Sequence, residues 1–420
     1  MYQTNSEGQI ILLVILAIVT AEFVLERVLS FLNRKNMSNP LPEKLTGIYE
    51  EDKYRKSQEY SAVKSKFGLF SSTVTFLFTI AMLAFGGYGW LDGLVSEWTQ
   101  NTMLQAIFFF GVLALISDII GIPFELYNTF VIEEKFGFNK MKPATFIADK
   151  VKGWVIGAIV GGGLLSAFIW FYQSYPSMFW LYGWGIIMAV MLLITMFYTN
   201  LLLPLFNKIT PLEEGELRAA IEAYAATVNF PLKKIMVMDG SKRSTKANAF
   251  FSGLGSNKNI VLYDTLIEKL DTDEIVAVLA HEVGHYKKKH TLQSIVITAI
   301  NMFVTLYVLS LVIDLEALSV ALGAGEAKFH LGLLAFSLLY SPLSLVTGLL
   351  MNLFSRKNEY EADAYATKTS SGLALIGALK KLTVDSLSNL TPHPAFVFFH
   401  YSHPPLLQRM NAMEKEMETI

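Results

Sequence analysis

The sequence predicts a helical, multipass membrane protein that carries a small polar α/β domain between its fifth and sixth spans. Three observations predict it: an apolar composition, seven long hydrophobic stretches, and a lopsided distribution of Lys and Arg. Of the 420 residues, 53% are hydrophobic and 17% charged, against roughly 25% charged in a typical soluble domain. The mean hydropathy is +0.41. Such a chain is too apolar to be disordered and has too few charges to cover a soluble surface of its size. Its 30 Phe and 16 Met suit a lipid-facing exterior. A net charge of −2 gives no electrostatic footprint for nucleic acid, so none is expected as a partner. The chain has no cysteine, which excludes disulfides, thiolate metal sites, cysteine nucleophiles and prenylation of the chain itself.

A bilayer core takes about 20 apolar residues per helix. The stretches that qualify are 9–32, 68–90, 102–122, 154–172, 178–206, 291–313 and 330–354. The first contains Glu22, Glu26 and Arg27 and has no basic residue before it, so it reads as a retained helix and not a signal peptide. Lys and Arg collect on the cytosolic side of membrane proteins. Here 8 follow the first span, 5 lie between the third and fourth, 12 lie in 207–290 and 7 follow residue 354, whereas the other side has Lys328 alone. This alternation predicts the N-terminus outside and the C-terminus in the cytosol. The expected organisation is 1–206 with five spans, 207–290 as a polar segment, 291–354 with two spans, and 355–420 as a cytosolic tail.

Within the polar segment, 213–228 has helical spacing, with Leu217, Ile221, Tyr224 and Ala225 on one face. Two short runs, KIMVM at 234–238 and NIVLY at 259–263, read as strands, with a turn at 253–258 between them. A helix then starts near Asp271, which forms a capping-box pattern with Glu274.

That helix runs into His281-Glu282-Val283-Gly284-His285. Histidines at i and i+4 share a helical face and can both ligate one Zn²⁺, while the intervening Glu reaches the attacking water and not the metal. Gly284 inside the helix is unfavourable by roughly 1 kcal/mol relative to Ala, which asks for a packing reason or a close approach of substrate. A catalytic zinc needs a third protein ligand and an open position. Candidates follow the seventh span in SRKNEYEADA, where Glu359 and Asp363 are four apart and Glu361 points elsewhere if the segment is helical. A Glu ligand one turn before an Asp that fixes a ligand histidine is a sensible pair. A charged juxtamembrane helix start is the plainer alternative.

HEVGH, followed by two spans and then SRKNEYEADAYA, resembles the M48 family of integral-membrane zinc metalloproteases, and within it the type 1 CAAX prenyl proteases. The likeness extends to IEEKFGFNK at 132–140, KRSTKANAFFSGLG at 242–255, NIVLYDTLI at 259–267 and YSHPPLLQRM at 401–410. It implies seven helices around an intramembrane chamber, with a zincin-like site near the chamber's cytosolic end. It implies His281, His285 and Glu359 as ligands of one Zn²⁺, Glu282 as general base and Asp363 as the aspartate behind the ligands. Asn248 matches an asparagine that holds the substrate backbone, and His403 a histidine near the scissile carbonyl. Arg409 is taken with the substrate-binding residues. His290, His330, His393 and His400 match nothing and read as structural or solvated.

The implied partners are the lipid bilayer and a peptide or prenylated protein, from which the last three residues after a prenylated cysteine are removed. The implied membrane is the bacterial inner membrane, or the endoplasmic reticulum in a eukaryote. A quality-control protease acting on unprenylated membrane proteins is the alternative. A site-2-type intramembrane protease would carry HExxH inside an early span, which this chain does not. A transporter or chaperone with a structural zinc would need a fourth protein donor, and His403 is the one candidate for it.

Overall fold

The computed structural model describes residues 6–252 and 258–419; the turn expected at 253–258 falls almost entirely outside them. Seven helices are long and apolar enough to cross a membrane: Ser6–Asn36, Glu51–Ala84, Thr102–Phe136, Pro143–Ser174, Phe179–Phe206, His290–Val312 and Phe329–Thr369. The chain is an integral membrane protein. The second apolar stretch was expected to run to Trp90, but the helix stops at Ala84. Phe85 caps it and Gly86 turns left-handed (φ +68°), so the remaining apolar residues start a separate short helix, Gly87–Trp98. The seventh helix instead outruns its apolar stretch. It continues unbroken for 41 residues, about 60 Å at 1.5 Å per residue, and carries the SRKNEYEADA segment out of the membrane region on one rigid rod.

The spans form a closed ring. The first packs on the second and seventh, the third on the fourth, the fourth on the fifth, and the sixth on the fifth and seventh. Phe67 stacks on Tyr127 to join the second helix to the third (5.3 Å between ring centroids). Only 6–11% of each span's most apolar window is buried. A solid bundle would bury the inward stripe of every helix, so the interior of this ring is not filled by side chains. At the end where the seventh helix begins, a buried cluster including Leu91, Val95, Phe109, Leu318 and Leu331 closes the ring. His330 and Asp92 pair inside it at 2.7 Å.

At the other end sits a four-stranded sheet: β1 Ile209–Pro211, β2 Leu232–Met238, β3 Ala249–Ser252 and β4 Lys258–Tyr263, in the order β1-β2-β4-β3. β2 and β4 are parallel, and β3 pairs antiparallel with β4 as an edge strand. The helix Glu216–Thr227 buries Ile221, Tyr224 and Ala225. Ile235, Ile260 and Leu262 of the sheet pack with Ile275 and Leu279 of the HEVGH helix, Thr272–Lys287. Glu274 accepts the Asp271 backbone N–H at 3.0 Å, as the capping-box pattern predicts. The other side of that helix packs on the seventh helix and on Gly372–Asp385 and Leu406–Met417, with Ala280, Val283, Ala366, Leu375 and Met410 buried between them.

Candidate active site

Two helices build the site by approaching almost backbone to backbone. A Cβ on Gly284 would lie 2.9 Å from Ala362 Cα and 3.1 Å from the Ala362 carbonyl oxygen. Packing is therefore the reason a glycine sits inside the HEVGH helix. The close approach brings Glu359 and Asp363, one turn apart on the seventh helix, against His281 and His285.

The two imidazoles and the two carboxylate oxygens of Glu359 stand at ligand spacing. His281 Nε2 and His285 Nε2 are 3.1 Å apart. Glu359 Oε2 is 3.4 Å from the first, and Glu359 Oε1 is 3.3 Å from the second. A tetrahedral ion with bonds of 2.0–2.1 Å has donor–donor edges of about 3.3 Å, so these residues fit such an ion. One further observation agrees. Glu359 is 3% exposed, and its Oε2 makes no hydrogen bond of normal geometry, the nearest donors being His281 Nε2 at 3.4 Å and Arg409 Nη1 at 3.6 Å.

Asp363, 1% exposed, accepts from His281 Nδ1 at 2.8 Å and leaves Nε2 turned toward the triangle. The sequence placed Arg409 with the substrate-binding residues; the structure puts it behind the ligand His281, against Asp363. Arg409 is 8% exposed and donates a two-pronged bond to Asp363, Nε to Oδ2 at 2.8 Å and Nη2 to Oδ1 at 2.6 Å. Two of its three nitrogens are engaged with the aspartate behind His281, and the third, Nη1, lies 3.6 Å from Glu359 Oε2.

Glu282 and His403 face a cavity of about 820 Å³ together with His285 and Glu359. Its walls include Tyr198, Phe250, Phe251, Tyr286, Met351 and Phe354, from the fifth and seventh helices, β3 and the HEVGH helix. Burial raises the pKa of Glu282, partly offset by His281 and His285. His403 Nε2 lies 3.3 Å from Glu359 Oε1. Among the described residues the group close enough to share an ion is His281, His285 and Glu359, and His403, on the cavity wall beside it, is not part of that group.

Asn248 is less central than expected. It is exposed at the start of β3, its side-chain oxygen accepts its neighbour Ala249's N–H at 2.9 Å, and it is not among the residues lining the cavity. The segment before it is clamped to the ring. Arg243 forks onto Asp149 of the fourth helix (2.9 and 3.0 Å) and donates to the Phe206 carbonyl at 2.7 Å. Lys246 bonds Glu133 of the third helix at 3.0 Å. The IEEKFGFNK and KRSTK stretches thus meet as a polar joint between the ring and the edge strand. His290, read as structural or solvated, is buried against His285 with its Nδ1 2.9 Å from His285 Nδ1.

Residues 30–208 match the pattern described as the CAAX prenyl protease N-terminal region with five membrane helices, and residues 211–417 match peptidase family M48. The CAAX prenyl protease 1 homolog of Oryza sativa is 36% identical over 95% of this chain and 96% of its own. CAAX prenyl protease 1 of Saccharomyces cerevisiae is 32% identical over 96% and 95%. The crystal structure of S. mikatae Ste24p superposes with a TM-score of 0.92 at 33% identity, covering 96% of this chain and 99% of that one. The family implies a metal, and the donor triangle supplies a place for one. The open triangle, its glutamate neighbour and these matches along nearly the whole chain lead to one conclusion: the chain belongs to the M48 peptidases, as a membrane metalloendopeptidase related to the CAAX prenyl proteases of type 1.

Proposed function

We propose that this protein removes the last three residues of prenylated CAAX proteins, using one Zn²⁺ held by His281, His285 and Glu359. The observation that carries the reading is the three-donor triangle opening, beside Glu282, into an apolar-walled cavity at the edge of the helix ring. Related proteins bear the name CAAX prenyl protease 1, and the composition suits a substrate whose lipid does not stay in water. These names favour this reading over general quality control.

Zinc, when bound, supplies a Lewis acid that polarises the scissile carbonyl and activates water. Glu282 takes the proton of the attacking water and returns it to the departing amine, so it works as base and then acid. His403, at the rim, donates a hydrogen bond to the developing oxyanion. Asn248 and the edge strand β3 hold the peptide as an added strand. Asp363, braced by Arg409, keeps His281 in its ligating orientation. No covalent enzyme intermediate is required.

The distribution of Lys and Arg supports a cytosolic α/β domain and C-terminus, with the N-terminus outside. In this reading 207–290 and 355–420 are two parts of one catalytic unit, joined by the two spans of 291–354 and attached to the five spans of 1–206. The test is incubation of detergent-purified protein with farnesylated and unlipidated forms of one CAAX peptide, with and without chelator. Chelator-sensitive release of the tripeptide from the farnesylated form is expected. Equal cleavage of both forms, away from the C-terminus, would replace the CAAX reading with the quality-control one.

A further inference from the structure

His281 is oriented by Asp363. Its partner ligand His285 has, among the described residues, no carboxylate on Nδ1. What it meets there is another imidazole, His290 Nδ1 at 2.9 Å. His290 is 3% exposed, and its other nitrogen, Nε2, is 3.3 Å from Glu361 Oε2 on the seventh helix. Glu361 is also approached by Lys357 at 3.7 Å.

Helical periodicity alone would not bring His290 to His285. Residues five apart in one continuous helix differ by about 140° and face different sides. Here the HEVGH helix ends at Lys287, and Lys289 adopts a left-handed conformation (φ +59°, ψ +30°) before the sixth span begins at His290. The turn folds the first residue of the span back onto the last histidine of the motif.

We propose that Glu361, His290 and His285 form a hydrogen-bond relay in which His290 is the positioning residue for the second histidine ligand. Each ring carries one proton. His290 donates Nε2–H to Glu361, which leaves a lone pair on its Nδ1. That lone pair accepts Nδ1–H of His285, and His285 Nε2 is thereby left unprotonated and aimed into the triangle. The two ligand histidines are thus held by unlike devices, a carboxylate with its arginine for His281 and a second imidazole with its carboxylate for His285. A partner of this kind fixes the tautomer and ring orientation of a metal-ligating histidine. The proposal rests on the metal-site reading but is independent of the substrate.

The experiment measures zinc affinity of the full chain in detergent by competition with a chromophoric chelator. The variants are His290→Phe, His290→Gln and Glu361→Ala. His290→Phe keeps the ring volume but removes the acceptor, and zinc binding is expected to weaken about 10–100-fold. Glutamine can accept from His285 and donate to Glu361 at once, so His290→Gln should stay within about threefold of the parent. Glu361→Ala should weaken zinc in the same direction by a smaller factor. Parental affinity in a folded His290→Phe protein, or equal loss in His290→Phe and His290→Gln, overturns the relay. If His290→Phe does not fold, parental affinity in Glu361→Ala overturns it. Failure of the parent to bind zinc would instead overturn the metal-site reading itself.

Discussion

Replacing Gly284 with alanine separates helix stability from metal-site geometry. On propensity alone the change stabilises the HEVGH helix by about 1 kcal/mol. The new Cβ, however, would lie 2.9 Å from Ala362 Cα and 3.1 Å from Tyr365 Cβ. Carbon atoms rest at about 3.5–4.0 Å, so the seventh helix must retreat by roughly 0.6 Å or more at this point. The obstructing atom at Ala362 is backbone, so no rotamer change relieves it. Overpacking of this kind is unfavourable by about 1–3 kcal/mol, which the propensity gain offsets only in part, so a net destabilisation of about 0–2 kcal/mol is expected from thermal unfolding. The metal site has no such offset. Glu359 lies three residues before Ala362 on the same rigid helix and moves with it, whereas His281 and His285 stay on the other helix. A shift of that size against bonds of about 2.0–2.1 Å should weaken zinc at least tenfold. It should lower kcat/KM by about 100-fold, the loss associated with a misplacement near 1 Å. The assay pairs chelator competition with peptide cleavage on the same detergent-purified sample. Zinc affinity and cleavage both within twofold of the parent would refute the claim that this contact sets the third ligand.

Glu282→Gln should leave stoichiometric zinc in place and lower cleavage by about 10²–10⁴-fold; parental cleavage by purified variant would remove Glu282 from the chemistry. Arg409→Met should leave the buried Asp363 carboxylate without its cation, held by His281 Nδ1, and destabilise the fold by about 3–5 kcal/mol, read by thermal unfolding in detergent. A change below about 1 kcal/mol would mean that the brace is dispensable. Arg243→Ala removes the fork on Asp149 and the bond to the Phe206 carbonyl. Its expected effect is a roughly tenfold loss of kcat/KM, carried mainly by KM, with zinc affinity unchanged. Unchanged KM would show that the edge strand keeps its position without the clamp.

Much of the molecule was legible in its sequence because membrane spans and the HEVGH motif are local signals. The seven apolar stretches announce themselves by length, and His281 and His285 by a spacing of four. Glu359 and Asp363 could be nominated as a pair for the same reason, and Glu361 set aside, since all three lie on one continuous helix. Contacts that depend on the path between elements were not legible. His290 reaches His285 only because Lys289 turns left-handed, and nothing about a lysine announces that conformation. Arg409 meets Asp363 across 46 residues that include two other helices, so a substrate-facing role looked as reasonable as an inward one. β1 has three residues, one of them proline, and β3 has four, so neither carries enough alternation to register as a strand. The break after Ala84 went unseen because the apolar run continues through it and only the backbone turn at Gly86 divides it.

X-ray absorption at the zinc edge of the purified protein tests the central claim most directly. The account predicts one zinc per chain, bound through light donors at about 2.0–2.1 Å, with two imidazoles, one carboxylate and one exchangeable position. A third imidazole in that shell would close the site with His403, and a chain that takes up no zinc would leave the triangle without a purpose. Either result contradicts a hydrolytic centre built from His281, His285 and Glu359.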